Sequence, residues 1–359
     1  MTDVVHLEVR DFRNLATAEL DPPLGALTVV TGENGAGKTS LLEAIGYAST
    51  LRSFRGSPRD ALVRTGCDRA IVRIEVEEAS RRALVEIEIA PTRRDQVFCN
   101  RQRIQRSQDL LETLRVTVFT PDDLMLVKGG PQERRDFLDD ILVSAHPALA
   151  PTRQAVERVL RQRNTLLRQA GARASADVAS TLDVWDAQLV SAGVELVSAR
   201  EALVDELVPV AASAFGRLTR LGDPIALEYR RSFDGELAVA LLKSRDEDLR
   251  RGVTTTGPHR DELAVSVGGL DARTRLSQGR QRSATLALRL AAHEVVATHA
   301  RSRPVLLLDD AFSELDPATT EALLNELPAG QAILTTAGSL PRGAHPARTL
   351  QLEGGRLTG

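Results

Sequence analysis

The chain has 359 residues, 42% hydrophobic and 26% charged, with a formal net charge of −3, so composition argues against a protein that is basic over its whole surface. No stretch approaches the roughly eighteen consecutive apolar residues of a membrane-spanning helix, and no secretory leader is visible at the N-terminus. Because the chain has only Cys67 and Cys99, we expect a reducing, cytoplasmic setting without membrane association.

The first third of the chain is predicted to be mainly β-structure around one helix. Residues 4–32 alternate like two strands joined by a turn at Asp21-Pro22-Pro23, and the second strand runs into a glycine loop. A helix is predicted over residues 40–50. Residues 70–90 alternate with a period of two and predict a β-hairpin, and a further strand is predicted just before Pro121.

From Asp122 the pattern becomes helical. It resumes over residues 180–220, where leucines recur every seven residues, which suits a short antiparallel helical hairpin or an ordinary bundle core. A strand is predicted from Ile225, and the remainder alternates strands with helices. We therefore predict an α/β protein with a mostly helical insertion. The predicted parts are 1–121, 122–230 and 231–359.

The pattern GxxxxGK[ST] occurs at Gly32–Thr39, between a predicted buried strand and a predicted helix, which is the context this loop requires. Glycines let the backbone N–H groups turn toward phosphates, and the helix N-terminus favours an anion. Lys38 is the predicted catalytic contact to the β- and γ-phosphates, and the Thr39 hydroxyl a predicted Mg²⁺ ligand. The predicted nucleotide-binding residues of the loop are Gly32, Glu33, Asn34, Gly35, Ala36, Gly37, Lys38, Thr39 and Ser40.

A second motif is the apolar segment 304–308 followed by Asp309 and Asp310. A buried strand that ends in carboxylates is how a P-loop protein places an acid beside Mg²⁺. We predict that Asp309 holds the metal through water and that Asp310 polarises the attacking water as a catalytic residue. No NKxD-type base-reading motif is present, which favours ATP over GTP.

A third motif, Leu276–Ser283, precedes a predicted helix. Ser277 as a helix N-cap, with Gly279 beside it, leaves backbone donors available to an anion. The motif resembles the LSxGxxR signature of the SMC branch of ABC ATPases, in which the anion is the γ-phosphate of ATP on another subunit. The resemblance implies that Ser277, Gln278 and Gly279 contact the ATP of a partner in an ATP-dependent homodimer. Residues 312–316 resemble the D-loop that couples the two sites, with Asp316 in it.

The three motifs, in this order and without long coiled coils, resemble the RecF family, an ABC/SMC-type P-loop ATPase head of two lobes and mixed sheet with an inserted helical arm. Further similar segments are 7–15, 51–57, 119–139, 162–167 and 254–263. The resemblance implies a weak, DNA-dependent ATPase of recombinational repair. Its ATP-bound dimer would bind double-stranded or gapped DNA and, with RecO and RecR, help to load RecA.

Three features depart from the general ABC pattern. Asp310 stands where transporters and most SMC heads carry Glu, and the shorter carboxylate predicts slow turnover. Thr335 or Thr336 occupies the position of the usual switch histidine, and no glutamine can be assigned to the loop that links the lobes. His259, His293 and His299 are poor replacements, and we interpret them as structural.

Local basic patches qualify the acidic balance of the chain. The segment from Arg52 to Arg73 contains six arginines and only two aspartates. Arg52, Arg55 and Arg59 are candidate DNA-binding residues because the SMC branch places a DNA-responsive arginine loop after the P-loop helix. A solvated surface is an equally good interpretation of such a patch.

Two other functions remain open. The chain could be the nucleotide-binding subunit of an ABC transporter, although the Asp309-Asp310 pair, the missing histidine and the long insertion count against it. It could also be a scaffold that uses ATP as a clamp without hydrolysis, because its catalytic residues are weak. The helical insertion would contact its counterpart or DNA in the dimer.

Overall fold

The computed structural model describes residues 2–171, 175–219, 222–300, 302–313 and 315–359. The chain divides into two compact units. Unit 1 comprises Met1–Asp123, Ser213–Gly222 and Thr285–Gly359, and unit 2 comprises Leu124–Ala212 and Asp223–Ala284. Unit 2 therefore extends beyond the predicted end of the helical insertion at 230. The strand-like sequence that begins near Ile225 forms a small sheet inside unit 2. The middle strand of this sheet packs on a helix of unit 2, so the chain does not return to unit 1 at this point.

Unit 1 contains two six-stranded sheets. The first has the order β2-β1-β4-β5-β6-β7 and is antiparallel throughout. Its strands are β1 (Thr2–Phe12), β2 (Leu15–Leu20), β4 (Ala70–Glu78), β5 (Arg81–Ala90), β6 (Arg93–Cys99) and β7 (Gln102–Arg103). The predicted hairpin at 70–90 is confirmed as β4–β5, and its alternation places Ala70, Val72, Ile74 and Val76 in the core.

The predicted turn at Asp21-Pro22-Pro23 is not where the first hairpin closes. That hairpin joins β1 to β2 through Arg13 and Asn14, and Arg13 has the positive φ of 56° that a tight turn requires. The Asp21–Pro23 segment leads instead to β3 (Leu27–Thr31), which belongs to the other sheet. Proline cannot donate to a ladder, so it separates the two sheets at this point.

The second sheet has the order β15-β14-β3-β13-β12-β8, parallel except for its edge strand β15. Its other strands are β8 (Val116–Phe119), β12 (Val305–Asp309), β13 (Ala332–Thr336), β14 (Arg348–Glu353) and β15 (Arg356–Thr358). Because parallel strands end at the same edge, the carboxyl ends of β3, β13 and β12 meet there. In the pairing, Thr31 lies opposite Thr336 and Asp309 opposite Thr335.

The helix that follows β3, α1 (Lys38–Thr50), lies within the core that the two sheets share. Leu41 and Ile45 of α1 are fully buried with Phe12 of the first sheet and Leu307 of the second. Gln331 joins the sheets as well: its amide accepts from Val4 N at 2.7 Å and donates to Val4 O at 2.8 Å. One core therefore positions the loop before α1 and the acidic end of β12.

Unit 2 is mainly helical. Its elements are α2 (Met125–Lys128), α3 (Pro131–Ala145), α4 (Ala150–Ala170), most of α5 (Ala176–Thr219), β9 (Ile225–Arg230), α6 (Leu237–Arg251), β10 (Glu262–Val267), β11 (Leu270–Asp271), α7 (Ala272–Arg275) and the start of α8 (Gln278–His299). For residues 180–220 the sequence left a helical hairpin and a bundle core both open, and the structure has one continuous helix there, α5. Its heptad leucines are buried: Leu182, Leu189, Leu196 and Leu203.

Buried ion pairs hold this unit together. The Arg163 guanidinium is fully buried between the carboxylates of Asp186 and Asp248, at 2.6 and 2.7 Å. Arg200 makes a bidentate contact to Asp139 at 2.7 and 2.9 Å. Loss of one partner would leave an uncompensated buried charge, which costs about 3–5 kcal/mol, so these pairs fix one packing of the helices.

Candidate nucleotide-binding site

The loop between β3 and α1 is shaped by two glycines that no other residue could replace. Gly32 has φ 155°, and a Cβ there would lie 2.6 Å from Leu352 O. Gly37 caps α1 with φ 108°, and a Cβ there would lie 2.4 Å from Leu15 Cδ2. Left-handed backbone and close packing together therefore require glycine at both ends of the loop.

Lys38 lies at the first position of α1, with its side chain curled back into the loop. Its Nζ donates to Gly32 O and Glu33 O, at 2.8 Å each. An ammonium group has three donors, so one N–H of the buried cation remains for a ligand at the centre of the loop. The predicted phosphate contact fits this geometry.

Thr39 and Asp309 come together although they lie 270 positions apart, as Thr39 Oγ1 donates to Asp309 Oδ1 at 3.0 Å. Thr335 Oγ1 contacts the same carboxylate oxygen at 2.7 Å. Burial raises the pKa of Asp309, the neighbouring Asp310 charge acts in the same direction, and the hydrogen bonds from Thr335 and Thr39 oppose it. A hydroxyl and a carboxylate at hydrogen-bond distance are the hard oxygen ligands that Mg²⁺ prefers.

Asp310 follows the last residue of β12 in a left-handed conformation, with φ 47°. Its backbone N–H donates to Thr335 O at 3.0 Å, which holds the residue in this conformation. Its Oδ1 atom is buried and accepts no hydrogen bond from the described residues. A buried carboxylate oxygen without a donor is costly unless a ligand or water completes it, so this atom marks a place for a polar ligand.

These residues line one cavity of about 940 Å³ in unit 1. The predicted loop residues Asn34, Gly35, Gly37, Lys38, Thr39 and Ser40 line it together with Asp309 and Asp310. Several other residues that line the cavity were not predicted from the sequence: Arg13, Asn14, Asp60, Ala61, Val63, Arg64, Thr65 and Ala337. They come from the β1–β2 turn, from residues 60–65 and from the end of β13, and no local pattern connects these segments.

Two missed residues of the β1–β2 turn support the P-loop. Asn14 Nδ2 donates to Gly35 O at 2.7 Å, and its Oδ1 accepts from Ser40 Oγ at 2.8 Å. Arg13 makes a bidentate contact to the fully buried Glu43 of α1, at 2.7 and 2.6 Å. The FRN segment of the chain was the available signal, because it lies within one of the family-like segments.

The three candidate DNA-binding arginines are exposed, but their surroundings differ. Arg55 lines the cavity of about 940 Å³. Arg59 contacts Asp95 at 3.1 Å and donates to Arg93 O, and Tyr47 donates to the same aspartate. Arg59 therefore has a structural partner, whereas contact of any of the three with DNA stays a prediction.

The signature segment lies in unit 2 at the start of α8. Ser277, Gln278 and Gly279 are all exposed, and Arg280 N approaches Ser277 Oγ at 3.5 Å, as at a helix N-cap. Gln281 anchors the segment by donating to the carbonyls of Ala272 and Arg273. The first turn of α8 therefore presents its N-terminus to solvent.

The predicted D-loop contains a second helix cap. Asp316 Oδ1 accepts from Ala318 N and Thr319 N at the start of α9 (Pro317–Asn325). The hydrogen bond from the Thr319 side chain contributes most to holding the pKa of Asp316 below its usual range. Glu314 of the same motif lies outside the described residues.

The histidines interpreted as structural differ in environment. His259 Nε2 contacts Thr254 O at 2.9 Å, and His293 of α8 is buried without a partner on either ring nitrogen among the described residues. Burial lowers the pKa of each to about 4. Neither lines the nucleotide cavity, and His299 is exposed.

A buried strand, a glycine loop that starts a helix, and a hydroxyl–carboxylate pair at the end of a neighbouring parallel strand define an ATPase of the P-loop class. The family model "RecF/RecN/SMC N terminal domain" matches residues 3–337. The chain is 44% identical over 352 residues to the DNA replication and repair protein RecF of Streptomyces avermitilis, covering 93% of each chain. It belongs to the RecF family of DNA replication and repair proteins.

Solved structures agree with this membership. The recombination mediator protein RecF of the RecFOR pathway, described as its ATP complex, is 25% identical with a TM-score of 0.90, and the match covers 99% of this chain and 97% of that one. An Smc head domain from Pyrococcus furiosus is 16% identical with a TM-score of 0.59 and covers 99% and 95%, which shows likeness of fold. Within the described ranges, no helix is long and apolar enough to cross a membrane.

Proposed function

We propose that this protein is an ATP-dependent DNA-binding protein of recombinational repair, with slow, DNA-stimulated ATP hydrolysis. The observation that carries the proposal is the cavity of unit 1, which is lined by Lys38, by the Thr39–Asp309 pair and by Asp310, whose Oδ1 atom has no partner among the described residues. Family membership favours this function over that of a transporter subunit.

In the proposed site, the P-loop backbone and Lys38 hold the β- and γ-phosphates of ATP. Thr39 and Asp309 would hold Mg²⁺, which neutralises phosphate charge when bound. Thr335 keeps the Asp309 carboxylate oriented through its 2.7 Å contact. Asn14 and Ser40 keep the loop in its binding conformation, so little ordering is required on binding.

Asp310 is the proposed residue that polarises the attacking water. Its left-handed backbone and the hydrogen bond from its N–H to Thr335 O fix the backbone position from which the carboxylate side chain extends. Aspartate is one methylene shorter than the glutamate of most SMC heads, and a misplacement of about 1 Å can cost on the order of a hundredfold in rate. This supports slow turnover, while a scaffold that never hydrolyses ATP is the competing function.

The exposed start of α8 supports the proposal that ATP binding makes the protein dimerise. Ser277, Gln278 and Gly279 present backbone donors and a positive helix end, and an anion on a second copy would satisfy them. In a two-fold dimer each copy supplies this group to the other. ADP lacks the γ-phosphate, so it would not support the dimer.

The remaining partners follow from the family. We propose that the ATP-bound dimer holds double-stranded or gapped DNA and that RecO and RecR act with it to load RecA. Electrostatic contact with DNA would weaken steeply with salt. ATP hydrolysis would then release the DNA.

Sedimentation velocity with ATP, with ADP and without nucleotide tests the proposed ATP-dependent dimerisation. We expect a monomer without nucleotide or with ADP, and a dimer with ATP. Ser277→Arg should abolish the dimer and leave ATP binding intact, whereas Ser198→Arg, at an exposed serine of α5, should do neither. A dimer of equal stability in all three conditions would refute the mechanism.

ATP turnover measured with and without double-stranded DNA separates the competing functions. Stimulation by DNA supports a repair ATPase, and turnover that is indifferent to DNA supports a transporter-type subunit. No turnover in either condition, with ATP binding retained, supports the non-hydrolysing scaffold.

A further inference from the structure

The helix α4 of unit 2 carries five arginines, of which two are buried and three are exposed. Arg153 and Arg163 point inward and are buried, each paired with carboxylates of unit 2. The other three, Arg158, Arg161 and Arg168, are exposed. The inward pair stabilises the unit, and the outward three are therefore a separate feature.

The three exposed arginines form one stripe. Positions 154, 158, 161, 165 and 168 follow the alternating four-and-three spacing that stays on one face of a helix, and all five are exposed: Gln154, Arg158, Arg161, Thr165 and Arg168. With a rise of about 1.5 Å per residue, the arginines span about 15 Å, or roughly four base pairs of duplex. We call these five residues the α4 stripe.

The charge of the α4 stripe is largely uncompensated. The only acidic residue of α4 is Glu157, which contacts buried Arg153 at 3.3 Å and Arg161 at a distant 3.9 Å. Arg158 has no ion-pair partner among the described residues, and Arg168 donates only to the Thr165 hydroxyl. Exposed guanidinium groups suit oxyanions such as phosphates, because one guanidinium can donate two N–H groups to the same phosphate.

The exposed side of α5 has the opposite sign. Within unit 2 its exposed charged residues are all acidic: Asp177, Asp183, Glu195, Asp205 and Glu206. A solvated helix surface normally mixes both signs. The exposed arginines of α4 would attract a polyanion and the exposed acids of α5 would repel it. On α5, Asp183 is paired with Arg245, and Glu195 accepts from Thr152 at the start of α4.

From this arrangement we infer that the α4 stripe is a contact surface for the phosphate backbone of DNA. The inference rests on the proposed function and names the residues of the helical insertion that would contact DNA; they belong to unit 2, whereas Arg52, Arg55 and Arg59 belong to unit 1. Contacts of this kind position DNA without reading bases, so the surface would accept any sequence.

Two triple variants test the inference by the salt dependence of DNA binding. The first converts Arg158, Arg161 and Arg168 to Gln, and the second converts the same three to Lys. The control converts Arg81, Arg342 and Arg356 to Gln, three exposed arginines of unit 1, which changes net charge equally. Binding of ATP-bound protein to duplex DNA is measured between about 50 and 200 mM salt.

The glutamine variant should bind with a slope of log K against log salt that is shallower by up to about 2.7, because each phosphate contact contributes about 0.9. The lysine variant should keep most of the slope and the control should keep all of it. Equal slopes for wild type and the glutamine variant, or equal losses in variant and control, would overturn the inference. If wild type shows no ATP-dependent DNA binding at all, the proposed function fails instead.

Photo-crosslinking gives an independent readout that needs no loss of function. A benzoylphenylalanine at Thr165 in the α4 stripe should crosslink to duplex DNA, and one at Val184, 55% exposed on α5, should not. Crosslinking of equal yield at both positions, or at Val184 alone, would contradict the placement of DNA on the α4 stripe.

Discussion

The contact between Arg13 and Glu43 is where a single substitution should most clearly disturb the wall of the nucleotide cavity. The Glu43 side chain is fully buried in α1, and that of Arg13 is 13% exposed. Two charge-assisted hydrogen bonds join them, and the hydroxyls of Ser53 and Ser57 contact the same pair. The pair therefore ties the turn before β2 and the loop after α1 to the P-loop helix.

Glu43→Ala should lower the free energy of unfolding by about 3–5 kcal/mol, because it leaves a nearly buried guanidinium without its counter-charge. Such a loss is a large part of the stability of about 5–15 kcal/mol typical of a folded domain. Arg13→Ala should cost a similar amount for the converse reason. The double variant should cost much less than their sum, with a coupling energy of about 2–3 kcal/mol.

Urea denaturation of the four proteins measures the coupling, and ATP titration of each measures its effect on the cavity. Arg82 and Glu77, a pair on the surface with Arg82 62% exposed, provide the control cycle, for which at most about 1 kcal/mol is expected. A coupling between Arg13 and Glu43 no larger than that of the control would refute the structural role assigned to the pair.

Lys38→Met should reduce ATP turnover by at least about a hundredfold, and undiminished turnover would overturn the site. Asp309→Asn should weaken Mg²⁺-dependent ATP binding, while Asp310→Asn should bind ATP and accumulate the dimer; equal loss of ATP affinity in both would contradict their separate roles. Because burial lowers the pKa of His293 to about 4, the unfolded chain takes up a proton between pH 6.5 and 4 that the native chain does not, and the free energy of unfolding should fall by up to about 3 kcal/mol over that window. His293→Leu should remove this part of the pH dependence in urea denaturation and be no less stable at pH 7, and an unchanged profile would exclude His293 as its source.

The sequence determined the parts that depend on neighbours along the chain. Alternation of apolar residues was enough for the β4–β5 hairpin, because a strand exposes alternate residues to one face. The glycine pattern was enough for the P-loop, because only glycine tolerates its backbone angles. A buried strand ending in Asp309 was enough to pair that residue with Thr39, as parallel strands of a P-loop fold end at one edge.

Only the tertiary structure decided which distant segments close the cavity. The β1–β2 turn and residues 60–65 carry no pattern of their own that points to a nucleotide, and they line the cavity because both sheets pack on α1. The continuity of α5 was likewise undecided, since a heptad repeat of leucines fits one long helix as well as two short ones. The sequence alone does not distinguish one arginine from another. In the structure, Arg163 is buried in unit 2 with carboxylate partners, whereas Arg161 is exposed on the α4 stripe. Local pattern sets which face of an element is apolar, whereas the pairing of charges depends on contacts between residues far apart in the chain.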